Sequence, residues 1–198
     1  MTRRHHKRMT CGAVAGLMLV AVAAVWLLAG GNGSTTPSTS VGTPSPHATL
    51  HVAEPAGANP SKSAQMVCAS ATAKEIASAL GVTTINPLAP TWVNHVYQCQ
   101  YAYPDGVIAV SVKELSNPAD TTTYFKSLRT QLGQRERLKG VAQGAFVTND
   151  GSFVLRKDYK VLVVDTSGLP SQFGSPPQAK KDVAIGVALT VLGCWTGA

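Results

Sequence analysis

An apolar run of nineteen residues near the N-terminus constrains this chain more than any other feature. It extends from Cys11 to Ala29 without a charged residue, and four of the first eight residues are Arg or Lys. A helix of that length spans about 28 Å, which matches the hydrocarbon core of a bilayer. Basic residues before such a segment keep the N-terminus in the cytoplasm. The sequence therefore predicts a cytoplasmic tail over 1–10, a transmembrane signal-anchor over 11–29 and an extracytoplasmic location for everything after it.

A second interpretation of the same segment is a signal peptide that is cleaved after export. Signal-peptide cores are usually about 7–15 apolar residues long, which is shorter than this run and favours the anchor. Ala29, Gly30 and Gly31 are nevertheless small residues that a signal peptidase accepts. Lipid attachment is disfavoured, because it needs a cysteine directly after the apolar run and Cys11 lies at its start. The alternative localisation is therefore secretion after cleavage.

Residues 30–63 have the composition of a disordered linker. Gly, Ser, Thr, Pro and Ala dominate the segment, and it contains no aromatic residue. Such a segment buries too little apolar surface to offset the entropy lost on ordering. His47 and His51 are four residues apart but lack a third ligand, so no metal site is predicted there. The linker is expected to hold the domain that follows clear of the membrane.

Residues 64–198 carry the patterns of a folded extracytoplasmic domain. The predicted elements, in chain order, are a helix that begins at a Thr72–Glu75 capping box and ends at Gly81, a strand over 92–103, a strand over 108–112, a helix over 121–132 capped by Asp120, three short strands within 145–165 and a helix over 178–194. The order α-β-β-α-β-β-β-α predicts an α+β domain with a mainly antiparallel sheet packed against helices.

Some side chains of these elements are expected to face the core. In the second helix they are Tyr124, Phe125, Leu128 and Leu132. The last helix is apolar on nearly all sides but too short to cross a bilayer, so it is predicted to lie across the sheet.

Three cysteines fall in this domain, where the predicted environment is oxidising. Cys68, Cys99 and Cys194 allow three pairings, and each pairing leaves one thiol over. We favour Cys68–Cys99, with pairing of Cys194 to either of them as the alternative. Cys194 falls on the apolar stripe of the last helix, which predicts a buried thiol. None of the three belongs to a C-x-x-C motif, so redox catalysis is not predicted.

Three short segments carry a family resemblance. They are VCASATAKEIASALG from Val67 to Gly81, YQCQY from Tyr97 to Tyr101 and LKGVAQGA over 138–145. Together they resemble a family of actinobacterial extracytoplasmic domains of unknown function, lipoprotein-like or sensor-like, with a two-cysteine pattern. The resemblance implies a Cys68–Cys99 disulfide and a ligand-binding or partner-binding role. The chain departs from the family pattern in lacking the lipid-attachment cysteine.

The domain shows no recognisable catalytic constellation. His95 is its one histidine, and neither a G-x-S-x-G elbow nor a metal-ligand spacing is present. Asp105, Glu114, Asp120 and Asp165 each have a turn, cap or strand-end explanation. No glycine motif for a phosphate or a dinucleotide occurs, so neither an enzyme nor a cofactor is predicted. The alternative function is a tethered or secreted cell-envelope hydrolase, in which His95 or two carboxylates would converge in a pocket.

The net charge of +7 divides unequally along the chain. The first eight residues hold +4, and residues 64–198 hold twelve Lys and Arg against nine Asp and Glu, which gives +3. The densest cluster is a candidate patch for an anionic partner, although a solvated connection is the simpler interpretation; it consists of Arg129, Arg135, Arg137 and Lys139.

The same cluster argues against nucleic acid as the partner, because no aromatic residue is interleaved with these cations and the compartment is wrong. The predicted function is a membrane-tethered, non-catalytic domain that binds a small ligand, a polymer or an envelope protein. The lipid bilayer is the second partner, through residues 11–29.

The anchor interpretation has a direct test. The full-length protein is expected to fractionate with membranes and to keep its N-terminal residues, because an anchor is not cleaved. N-terminal sequencing of the mature protein checks this expectation, and a mature N-terminus near Asn32 would contradict it.

Overall fold

The computed structural model of the chain describes residues 54–195. Its elements, in chain order, are α1 (Lys62–Met66), α2 (Ser70–Leu80), β1 (Thr91–Val93), β2 (Val96–Tyr103), β3 (Gly106–Glu114), α3 (Pro118–Gln131), β4 (Gln134–Leu138), β5 (Ala145–Thr148), β6 (Phe153–Lys157), β7 (Lys160–Asp165), β8 (Gln172–Phe173), β9 (Gln178–Ala179) and α4 (Lys180–Trp195). The predicted tail, the anchor and most of the linker lie outside the described residues. Within 54–195, no helix is long and apolar enough to span a membrane.

Seven strands form one sheet in the order β1-β2-β3-β7-β6-β5-β4, and β8 and β9 form a separate small pair. Every neighbouring pair of strands runs antiparallel. At the centre, β3 pairs with β7 across a long sequence separation, with Val110 opposite Val164. The predicted class, an α+β domain with a mainly antiparallel sheet packed against helices, is confirmed.

Helices cover the two faces of the sheet unequally. On one face, α2 and α4 share a large core with the inward side chains of β2, β3, β5, β6 and β7. On the other face, α3 packs Phe125 and Leu128 onto Phe146, Val154 and Val161. Because α3 packs on β6 and β7, it leaves the outer residues of β2 exposed.

The predicted strand over 92–103 is wrong at its middle, because it is two strands joined by a tight turn. Asn94 and His95 both have positive φ, 51° and 58°, and Val93 pairs with Val96 across them. A two-residue turn with both φ values positive matches the twist of an antiparallel hairpin, and Asn is one of the residue types that favours it. His95 therefore lies in a turn and not on a strand.

The predicted capping box of the first long helix is also wrong. α2 begins at Ser70, and Thr72 donates its hydroxyl to the carbonyl of Met66 at 2.6 Å instead of accepting from the helix backbone. The hydroxyl of Thr72 is thus used to tie α2 to the end of α1. The predicted C-terminal glycine is confirmed, since Gly81 ends the helix with φ 61°.

The N-cap of α3 is Asn117. The prediction that Asp120 caps this helix is therefore wrong. The Asn117 Oδ1 accepts from the backbone N–H of Asp120 at 2.8 Å, so Asp120 lies in the first turn. Phe125 and Leu128 are buried as predicted, whereas Leu132 follows the helix and is 40% exposed. The burial of Leu132 was predicted because its position continues the helical spacing, but the helix ends at Gln131.

Strand β4 has no counterpart among the predicted elements. Its sequence, QRERL, lacks an apolar alternation, and it forms where β5 would otherwise end the sheet. Gly133, with φ 69°, makes the sharp turn from α3 into this strand. A Cβ at Gly133 would lie 2.3 Å from the Asn149 side chain, so the turn requires glycine.

The predicted disulfide between Cys68 and Cys99 is confirmed. The bridge joins the start of α2 to β2, with the two Cα atoms 5.9 Å apart. Next to it, the Tyr101 hydroxyl donates to the carbonyl of Val67 at 2.6 Å.

Cys194, which was predicted to be buried, is only half-buried on α4.

Removal of the disulfide is expected to cost much of the stability of the domain. The bridge closes a loop with a sequence separation of 31, and a loop of that size contributes about 3–4 kcal/mol in the chain-entropy model. Denaturant unfolding of the Cys68→Ala, Cys99→Ala double variant measures the loss. The reduced wild type should show the same loss, and the double variant should not respond to reductant. An unchanged unfolding midpoint in the double variant would contradict the prediction.

Candidate functional site

The histidine and one carboxylate considered for catalysis lie on exposed turns. His95 is exposed and packs edge to face against Trp92, with the ring centroids 5.6 Å apart. Asp105 is exposed in the turn between β2 and β3. His95 therefore contacts an aromatic ring, and Asp105 contacts solvent.

Glu114 lies in a buried ion pair. Its carboxylate is 3.7 Å from the Lys160 ammonium, and the two side chains are 1% and 8% exposed. The backbone N–H of Ser61 donates to the other carboxylate oxygen at 3.2 Å, and the Ser61 hydroxyl also donates to the carboxylate. Ser61 is at the same time the N-cap of α1. Glu114 therefore fastens residues just before α1, which fall in the predicted linker, to the sheet.

Asp120 and Asp165 are held by neighbouring polar groups. Asp120 accepts from the Asn117 side chain at 2.6 Å, within the cap of α3. Asp165 accepts from the backbone N–H of Ser167 at 2.8 Å and from the Ser152 hydroxyl at 3.2 Å. Both carboxylates thus stabilise local backbone geometry at the end of an element.

The structure also brings Asp150, which the sequence analysis did not single out, close to Asp165. Ser152 donates its backbone N–H to Asp150 at 3.1 Å and its hydroxyl to Asp165. Burial raises the pKa of Asp150, but hydrogen bonds from Thr148 and Ser152 outweigh it and lower the pKa overall. Among residues 54–195, no three His, Cys, Asp or Glu side chains are grouped to hold a metal ion.

The cations of the candidate patch divide into two groups. Arg129 is half-buried near the end of α3, and its Nε donates to the side chain of Gln134. Arg135, Arg137 and Lys139 are exposed on or just after β4. We call these three residues the cationic edge, because β4 is the last strand of the sheet.

Among residues 54–195, no acid forms an ion pair with the cationic edge. Glu136, the one acid of β4, lies 3.8 Å from the Lys181 ammonium of α4. Glu136 therefore already faces a cation, and the positive charge of Arg135, Arg137 and Lys139 is left uncompensated at the surface.

No protein-family model, no curated protein and no solved structure matches this chain. The resemblance to the actinobacterial extracytoplasmic family therefore stays a prediction.

The structural role assigned to Glu114 can be measured. Glu114→Leu is expected to lower the free energy of unfolding by about 3 kcal/mol, because it leaves the Lys160 ammonium buried without its partner. The double variant Glu114→Leu, Lys160→Leu should recover most of that loss. Asp105→Asn, in an exposed turn, is the control and should change the free energy by less than about 0.5 kcal/mol. Urea unfolding followed by circular dichroism checks all three, and equal stability of Glu114→Leu and the control would refute the role.

Proposed function

We propose that this chain is a membrane-tethered, extracytoplasmic domain that binds an anionic component of the cell envelope through the cationic edge, without catalysis. The observation that carries the proposal is the set of three exposed, uncompensated cations on an open strand edge. Exposed charge at the end of a sheet attracts partners of opposite sign and sets the rate of encounter.

The disulfide supports an extracytoplasmic location. Disulfides persist in oxidising compartments and are rare in the cytosol of most organisms. The Cys68–Cys99 bridge follows an apolar run of the length of a membrane span, with basic residues before it. Both features favour a domain that is exported and held at the membrane, and the family resemblance agrees with a binding role.

The positions of the titratable groups support binding over hydrolysis. A hydrolase would need His95 or two carboxylates to converge in a pocket. His95 instead lies in an exposed turn, and Glu114 and Asp120 hold α1 and the α3 cap. Asp150 and Asp165 do approach each other, but both accept hydrogen bonds from Ser152 that hold the local backbone, and Asp150 is exposed. Removal of any of these carboxylates is expected to affect folding more than chemistry.

The spacing of the charges favours a partner with several negative groups. Arg135 and Lys139 are four residues apart, so at about 3.3 Å per residue the cationic edge extends over at most roughly 13 Å. The Debye length is about 8 Å at physiological salt, so a single small anion is attracted by only part of the edge. An extended polyanion contacts all three cations and gains from each of them.

Charge reversal at the edge tests the proposal. The full-length chain in detergent micelles is titrated with two soluble anionic probes, namely polyglutamate and inorganic polyphosphate. Arg135→Glu with Arg137→Glu should weaken the binding of at least one probe by about tenfold or more, because each cation near an anionic surface contributes about 1 kcal/mol. The binding of that probe should also fall steeply with added salt.

A matched double variant provides the control. Lys62→Glu with Lys74→Glu changes the net charge by the same amount at two exposed positions on α1 and α2. It should leave the affinity within about twofold, which is less than 0.5 kcal/mol. Equal weakening by both double variants, or no binding of any probe by the wild type, would overturn the proposal.

A further inference from the structure

The backbone of β4 offers unused hydrogen-bonding groups next to the exposed cations. In β5, Thr148 donates its N–H to Ser152 at 2.9 Å, and Gly144 accepts from the N–H of Arg156 at 2.8 Å, so both residues direct these groups toward β6. Because alternate residues of a strand direct their N–H and C=O to opposite sides, Ala145 and Val147 direct theirs toward β4.

The register then decides which residue of β4 faces outward. Val147 lies opposite Glu136 and Ala145 lies opposite Leu138, so these two residues of β4 bond within the sheet. The register shifts between Gln134 and Glu136, so Arg135 lies in an irregularity and the regular part of β4 begins at Glu136. Arg137 lies between Glu136 and Leu138 and directs both its N–H and its C=O to the open side. No strand in the described part of the chain pairs with that side.

We infer that the cationic edge binds an extended acidic segment of a partner protein, which adds to the sheet as a further strand beside β4. This inference rests on the proposed function and names the partner of the same site. Strand addition uses the N–H and C=O of Arg137 together, and the cations then select a segment rich in Asp and Glu.

The two faces of β4 set the side-chain pattern of that segment. The side chain of Arg137 lies on the α3 face, opposite Phe146, whereas Glu136 and half-buried Leu138 lie on the α4 face. Residues directly opposite one another in an antiparallel pair have Cβ atoms about 5 Å apart, close enough for a charge pair. A segment with carboxylates on the α3 face and apolar residues on the α4 face fits best, because an acid opposite Glu136 would be repelled.

Two other occupants fit the edge less well. A second copy of this chain that paired through β4 would bring Arg135 and Arg137 of both copies together, and like charges across a strand pair are destabilising. A phosphate polymer or a lipid headgroup carries the charge, but it has no regular series of N–H donors to match the C=O of Arg137. The peptide is the occupant that matches both the charge and the backbone.

Matched peptides test the pattern on the full-length chain in detergent micelles. One nine-residue probe alternates Glu and Val, and the second has the same composition with all Glu residues at one end. The alternating peptide should bind about tenfold more tightly, because only it presents carboxylates on one face of a strand. Equal affinity of the two peptides would overturn the inference.

Two variants of Arg137 separate the charge from the backbone. Arg137→Ala removes the guanidinium, whereas Arg137→Pro removes it together with the outward N–H, and proline is tolerated on strand edges. The proline variant should bind the alternating peptide about fivefold more weakly than the alanine variant, since one hydrogen bond contributes about 1 kcal/mol. Polyphosphate, the control ligand, should bind both variants equally.

Methylated peptides give the same test without a change in the protein. N-methylation of the alternating peptide at the residue whose N–H bonds the Arg137 carbonyl should weaken binding by about fivefold or more, and N-methylation at the neighbouring residues should not. If both methylated peptides bind alike and the alanine and proline variants do not differ, strand addition is refuted. Charge-dependent binding, and with it the proposed function, would then still stand if the charge reversal at the edge weakens the binding of polyphosphate.

Discussion

The packing of the helices on one face of the sheet depends on the short junction between α1 and α2. Cys68 at this junction is bonded to Cys99 of β2, and the neighbouring carbonyl of Val67 accepts from the Tyr101 hydroxyl at 2.6 Å. Burial, reinforced by the nearby Tyr103, raises the pKa of Tyr101, so its hydroxyl stays protonated and remains a donor. Because Cys99 and Tyr101 share one face of β2, the junction is held at two adjacent points and the direction of α2 over the sheet is fixed. α4 packs against α2 and against the sheet, so its position follows from the same junction.

The remaining attachments bring distant parts of the chain to the same end of the domain. Trp195, at the end of α4, donates its indole N–H to the carbonyl of Ser63 at 2.8 Å. The buried pair of Glu114 and Lys160 holds Ser61 nearby. Ser61, just before α1, is thus bonded to β3 and, through the ion pair, to β7, whereas α1 itself is bonded to the last helix through Ser63. A pull on the proposed tether would act first on residues before Ser61, where the Ala56 N–H donates to the Leu115 carbonyl at 3.0 Å and the Ala58 carbonyl accepts from the Trp92 indole at 3.0 Å. β4 lies at the opposite edge of the sheet from β1.

The strands that could be predicted are those with a clear apolar pattern. β3 alternates between buried and half-buried residues, whereas β6 and β7 are short apolar runs next to turns, as expected of strands covered on both faces. Gly81 could be predicted because a left-handed helix end favours glycine. The turn at Asn94 was missed because strand-forming residues flank it on both sides. Trp92 and Tyr97 would face opposite sides of one continuous strand, but the turn places them opposite each other on two paired strands. β4 was missed because its pairing comes from the unpaired edge of β5 and not from its own residues.

The candidate site was likewise predictable only in part. Charge density alone indicated the cluster, but the sequence could not show that Arg129 bonds to Gln134 while three other cations stay exposed. Nor could it show that Lys181, more than forty residues away, faces Glu136.

The energetics of strand addition explain why a tether matters for such a site. Each backbone hydrogen bond contributes about 1 kcal/mol and each cation about the same, whereas ordering an extended peptide costs about 1–2 kcal/mol per residue. A strand as short as β4 therefore gives weak affinity for a free peptide. Holding the domain and its partner at one membrane raises their effective concentration, which strengthens binding without any new contact. The proposed strand addition and the proposed tether would thus act together, the first selecting the partner and the second strengthening its binding.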